Sequence, residues 1–232
     1  MVKKGDFVKI DYTGRLDDGN VFDTTDEAEA KKSNIHNPKI KYSPVLMIVG
    51  SGRMIHGLES AVEGMAAGAE KEVTIKPEEG FGSRNPDMIS IVPLSHFERE
   101  KINPAPGMAV NIDDREGIIK SVGGGRVIVD FNHPLAGQTL KYKVKVASIL
   151  EKVTDKASAL LDDVGIAGEA AIDGDTLIFT TNADPSMEYT SRKYMLLMAI
   201  KDYVQDIATV KFSEEYKITE KKSQAKALEK KD

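Results

Sequence analysis

A chain of 232 residues and 25.4 kDa is long enough for one large domain, or for two to three small units that each bury a core. It is 41% hydrophobic and 30% charged, with neither a run of about 20 apolar residues nor a basic-then-apolar leader, so neither a membrane span nor a secretory signal is expected, and the cytoplasm is the expected compartment. The absence of cysteine excludes disulfides, thiolate metal sites and a cysteine nucleophile, and a net charge of −5 argues against a general nucleic-acid binder.

From the start, Val8, Ile10 and Tyr12 alternate with Lys9 and Asp11 over Asp6 to Thr13, the period-two pattern of a half-buried strand. Leu16 to Asn20 (LDDGN) has turn chemistry, Val21 to Asp23 resumes an extended segment, and a polar loop runs from Thr24 to Lys41 with a short helix at Asp26 to Lys32. Val45 to Val49 is apolar, and Leu58, Ala61, Val62 and Met65 have the spacing of a short helix stopped by Gly64 or Gly68. Lys71 to Lys76 alternates again before the turn at Pro77 to Gly82.

The texture then changes. Short strands at Met88 to Val92, Met108 to Ile112, Gly117 to Val122 and Arg126 to Phe131 predict a small antiparallel module of its own. The alternation of Leu140 to Ile149 suits the first block better, so the module reads as inserted rather than appended. Beyond Lys152 a third pattern predicts a helix at Thr154 to Leu161, a strand at Thr176 to Thr181, an amphipathic helix from Ser186 to Ile207 and a strand from Thr209 to Thr219. The lysine-rich tail Lys217 to Asp232, with its acids interleaved, reads as a solvated segment. The fold class expected is α+β, with domains at 1–86 plus 132–152, at 87–131 and at 153–232.

Several chemistries lack their residues. Val45 to Gly57 (VLMIVGSGRMIHG) looks like a dinucleotide-binding turn, but the third glycine would fall at Ile55. Four scattered histidines form no metal-ligand motif, and neither a G-x-S-x-G elbow nor a P-loop occurs. No metal or other cofactor is therefore expected.

One ordered set of motifs stands out. Val8 to Gly14 (VKIDYTG), Gly19-x-Val21-Phe22-Asp23, Ile55-x-Gly57-Leu58-Glu59, Gly80-Phe81-Gly82 and Leu140-x-Tyr142-x-Val144-x-Val146 together resemble the FKBP-type peptidyl-prolyl cis-trans isomerases. Asn132 to Gly137 (NHPLAG) looks like the return junction of the SlyD-type, insert-in-flap members, and the whole length looks like the long archaeal members with an additional C-terminal domain. The resemblance covers roughly residues 1 to 152. It implies a curved antiparallel sheet around one short helix, with an insert in the flap over the pocket.

The resemblance also implies a site. Tyr12, Phe22, Ile55, Leu58, Phe81, Leu135 and Tyr142 would form its walls, Met54 its edge, and Asp23 the one carboxylate near the proline. Leu58 stands where many members have tryptophan and Phe81 where many have tyrosine, so no hydroxyl donor is expected at Phe81. In the insert, Met88, Ile89, Ile91, Val92, Leu94, Phe97, Met108 and Val110 would hold unfolded, proline-containing polypeptides, since a module of about 45 residues buries so many apolar groups poorly. The competing readings are that these residues form the module's own core, and that the whole is a binding module with an inactive pocket. The apolar stripe Met187, Tyr194, Leu197, Met198, Ile200 and Val204 predicts a homodimer through the C-terminal domain, unless that helix packs on its own sheet.

Overall fold

The computed structural model describes residues 1–216. The lysine-rich tail and the end of the strand expected up to Thr219 lie outside the described residues. The first sheet holds β1 (Phe7–Leu16), β2 (Val21–Thr24), β3 (Val45–Ile48) and β4 (Glu70–Ile75), with α1 (Glu27–Lys32) and α2 (His56–Val62) between them. Its fifth strand is β9 (Leu140–Leu150), which pairs antiparallel with β1 on one side and β4 on the other. The free edge of β1 is shared, its first half by β3 and its second by β2.

The period-two pattern decides which side chains face α2. Val8 and Ile10 of β1, with Leu140, Tyr142, Val144 and Val146 of β9, bury against Leu58 and Val62 of the helix. Gly57 lets α2 approach β4, because a Cβ there would lie 2.5 Å from Cγ2 of Ile75. Two bulges, at Lys9/Ile10 and Gly14/Arg15, interrupt the registers and bend β1. Asp26 caps α1 by accepting from the Ala28 and Glu29 amides.

Between β4 and β9 the chain builds a four-stranded sheet in the order β5-β8-β7-β6, from β5 (Ile89–Pro93), β6 (Ala109–Ile112), β7 (Arg115–Gly123) and β8 (Arg126–Asp130). It also contains a helix that the strand pattern did not predict, α3 (Leu94–Arg99). That helix corrects one assignment. Phe97, expected as a polypeptide-holding residue, is 1% exposed and sits in the insert's core with Ile119, Val127 and Val129. Met88, Val92, Leu94 and Val110 pack partly against the same core, whereas Ile89, Ile91 and Met108 stay exposed.

The C-terminal segment forms α4 (Val153–Asp163), β10 (Gly168–Asp173), β11 (Thr176–Ala183), α5 (Met187–Tyr203) and β12 (Thr209–Tyr216). β11 and β12 are parallel, with α5 as the crossover, and β10 was not expected. The expected stripe on α5 is divided between the sheet and the surface. Tyr189, Leu196 and Ile200, followed by Val204, cover the sheet, while Met187 and Tyr194 are 83% and 63% exposed. Residues at spacings of seven and then four set that face, and Tyr194 lies off it. The C-terminal elements moreover share their core with the first sheet: Phe7 of β1 and Ile48 of β3, both fully buried, pack with Leu160, Leu161, Leu177 and Phe179.

Candidate active site

Three aromatic side chains from three strands meet over the α2 side of the first sheet. Tyr142 of β9 stands opposite Gly14 of β1, which in turn stands opposite Asp23 of β2. The Phe22 ring crosses Gly14 so closely that a Cβ there would lie 2.6 Å from Cζ, so only glycine allows the ring this position. Phe22 meets Tyr142 edge-on at 5.7 Å, and Tyr12 meets the same ring at 5.7 Å and a 56° tilt. The Tyr12 hydroxyl donates to Oδ2 of Asp23 at 2.7 Å.

The floor and rim come from α2 and the loops before and after it. Leu58 is buried beneath the aromatics, and Met54, Ile55 and Phe81 pack half-buried on the same cluster as Tyr12 and Phe22. Ile55 precedes α2, and its backbone N–H donates to no acceptor among the described residues. Leu135 is the exception. It lies half-buried on the turn after Asn132 and is not packed into this cluster. That turn places His133 instead, whose ring stacks on Phe81 at 4.2 Å and 4°.

Burial sets the electrostatics. Desolvation pushes the Tyr12 phenol far above the ordinary tyrosine value, with further contributions from its hydrogen bond to Asp23 and the charge there. Tyr142 is pushed up by the same desolvation and by the Asp23 charge. Both hydroxyls are thus neutral donors at physiological pH, beside one exposed carboxylate, and the surface between them is hydrocarbon. Such a surface offers neither a nucleophile nor a proton relay. It suits a reaction driven by burial and orientation.

The comparisons with known proteins agree. A family described as FKBP-type peptidyl-prolyl cis-trans isomerase matches residues 1–98. The short-type peptidyl-prolyl cis-trans isomerase of Methanocaldococcus jannaschii is 42% identical over 149 residues, covering 64% of this chain and 94% of that protein. The chain belongs to the FKBP-type peptidyl-prolyl cis-trans isomerases. A second family, described as FKBP26, IF domain, matches residues 90–135, from the second residue of β5 through β8 of this isomerase. The SlyD isomerase of Helicobacter pylori is 31% identical over 140 residues (59% of this chain, 76% of SlyD), and the 16 kDa FKBP-type isomerase of Escherichia coli 29% over 153 residues (64% and 93%).

Three features of this FKBP-type enzyme had no role in the sequence reading. Glu59, buried next to Leu58, accepts from the amides of Gly50, Gly52 and Met54 at 3.0, 3.3 and 3.2 Å and so shapes the rim loop. In the sequence it shows as the last residue of the motif Ile55-x-Gly57-Leu58-Glu59 and as an acid inside the apolar stripe of α2. At the insert's root, Asn132 accepts from the Asn85 amide at 2.8 Å and donates to the Asn85 carbonyl at 2.9 Å, joining the outgoing and returning chains. Buried Asp130 accepts from Asn132 there and pairs with Arg84. The third feature is the His133 stack on Phe81, which the NHPLAG motif marks only by position.

Among the described residues, no helix is long and apolar enough to cross a membrane.

Proposed function

We propose that this isomerase acts on X-Pro bonds of unfolded or partly folded proteins, turning the bond in the pocket of Tyr12, Phe22, Asp23, Met54, Ile55, Leu58, Phe81 and Tyr142 while the insert holds the chain. Rotation about the bond must break amide resonance, a barrier of about 18–20 kcal/mol. A catalyst therefore has to favour the twisted amide over the planar one. The twisted carbonyl carries less charge and loses less on leaving water, so a hydrocarbon pocket favours it. The free Ile55 N–H orients the flanking peptide, and Asp23, steadied by Tyr12, faces the polar side of the substrate. The observation that carries this reading is the convergence of Tyr12, Phe22 and Tyr142 on the cluster that holds Leu58.

Leu135 enters this proposal only as part of the turn that presents His133. For the insert, support comes from Ile89, Ile91 and Met108, which leave apolar surface on β5 and beside β6, Ile91 being 62% exposed. Residues 1–86 with 132–152 then serve as catalytic unit and 87–131 as holder. The described C-terminal residues, 153–216, were expected as a separate domain but share a core with the first sheet through Phe7 and Ile48; Met187, Tyr194 and Met195, exposed on α5, support a homodimer, to be checked by sedimentation. The decisive experiment for the whole is proline-limited refolding of a model protein with catalytic amounts of the chain, beside turnover of a proline tetrapeptide. Equal efficiency on both, with and without the insert, would remove the holding role.

A further inference from the structure

Beyond the backbone bonds of Val49 to Gly5 and Asp6, the loop that forms the pocket rim is tied by side chains outside it in two places, and one of them lies in the C-terminal segment. The loop leaves β3 after Ile48 and enters α2 at His56, and it includes Gly50 and Gly52 with φ of 79° and 72°. Such glycines give the backbone wide freedom, so the positions of Met54 and the Ile55 N–H depend on what ties the loop down. Buried Glu59 of α2 ties its amides. The second tie is the guanidinium of Arg53, paired with the carboxylate of Asp163 at the end of α4.

Asp163 makes a firm post. Two residues before it, Leu161 is buried beside Leu160 against Phe7 of β1 and Ile48, the last residue of β3. Neighbouring Asp162 reaches Lys9 of β1 only at 4.0 Å with its side chain 76% exposed, so it adds little to this hold. The post is thus fixed to the very strand from which the loop departs.

We propose that Asp163 is a positioning residue for the isomerase: through Arg53 it braces the rim loop and sets the Met54 edge and the Ile55 N–H that meet the substrate. This rests on the pocket assignment above and gives the C-terminal segment a part in catalysis. Arg53 and Asp163 side chains are 38% and 25% exposed, so the pair contributes little to global stability. Its effect falls on the fraction of molecules whose rim is in place. A lower fraction weakens apparent affinity in proportion, while a bound substrate restores the geometry, so KM rises and kcat holds.

The test uses the full chain and a proline tetrapeptide. Asp163→Asn should raise KM about two- to fivefold, the range of a partly exposed ion pair, with kcat and Tm unchanged. Exchanging the charges, Arg53→Asp with Asp163→Arg, should bring KM back toward the parent value, and Asp162→Asn should leave it unmoved. An unchanged KM in Asp163→Asn, an exchanged pair no better than either single change, or an equal rise in Asp162→Asn would overturn the brace. Turnover that survives Phe81→Ala overturns the pocket assignment and the brace with it. Turnover lost in Phe81→Ala with KM unmoved in Asp163→Asn overturns the brace alone.

Discussion

The Tyr12 hydroxyl hydrogen-bonds Asp23 across the β1–β2 pair, so the carboxylate nearest the pocket is held by the ring that forms one of its walls. Removing Asp23 and removing its holder should therefore differ in degree. Asp23→Ala is expected to lower kcat/KM on a proline peptide about tenfold, and Tyr12→Phe about threefold, the loss of one charge-assisted hydrogen bond and of its orientation respectively. Folding of both variants should be normal by circular dichroism, and equal losses would mean that the two act as one structural unit.

The raised phenols of Tyr12 and Tyr142 carry a signed pH dependence. Because the folded state keeps these protons above the ordinary tyrosine value of 10.0, the unfolded chain loses them first as pH rises. Their stabilising contribution is complete below that value and declines as pH climbs above it toward the folded values. Urea unfolding between pH 9 and 11 should show a falling stability, and Tyr142→Phe should flatten the decline by about one proton's worth of slope.

In the insert, exposed and buried apolar residues separate two outcomes. Ile91→Ser with Met108→Ser should leave Tm within a degree or so while weakening suppression of aggregation of an unfolded protein. Phe97→Ala instead empties the middle of a small core at about 3–5 kcal/mol and should unfold the insert. Tetrapeptide turnover should survive both.

A chain ending at Leu150 would uncover Phe7 and Ile48, which face Leu160, Leu161 and Phe179 in the whole protein. We expect such a chain to unfold at lower temperature and to bind a hydrophobic dye. Leu161→Ala in the full chain, at about 2–5 kcal/mol, should reproduce part of that loss. A truncated form as stable as the parent would show the shared core to be dispensable.

Glu59 offers a sharper case of a group that acts through its surroundings. Replacing it with leucine takes the acceptor from three rim amides, of exposed Gly50 and Gly52 and half-buried Met54, at about 0.5–1.5 kcal/mol for each hydrogen bond lost. Glutamine keeps one acceptor oxygen. Glu59→Gln should thus retain most stability with a raised KM, and Glu59→Leu should lose both, as thermal melts and peptide kinetics would read.

Much of this was legible because the signals were local. The alternation at Val8, Ile10 and Tyr12 and at Tyr142, Val144 and Val146 locates the two longest strands of the first sheet, and the order of motifs gives the family. What stayed hidden depends on contacts distant in sequence. Gly168 to Asp173 (GEAAID) holds only one β-branched residue and becomes a strand because β11 lies beside it. Leu94 to Arg99 follows a proline within a run of strands, and Phe97 turns inward only when that helix closes over the sheet. On α5 the expected stripe is divided, Ile200 and Val204 going to the sheet and Met187 and Tyr194 to the surface, and spacing alone does not separate the two. Arg53 and Asp163 lie 110 residues apart, and neither carries a sign of the other.

The pairing of β1 with β9 joins Phe7 to Leu150, so the first sheet cannot close until nearly two-thirds of the chain has been made. The insert's sheet pairs only residues between Ile89 and Asp130 and is free to form earlier. On the ribosome the insert's sheet is therefore free to close before the first sheet, which spends its synthesis as an open half whose final strand arrives last.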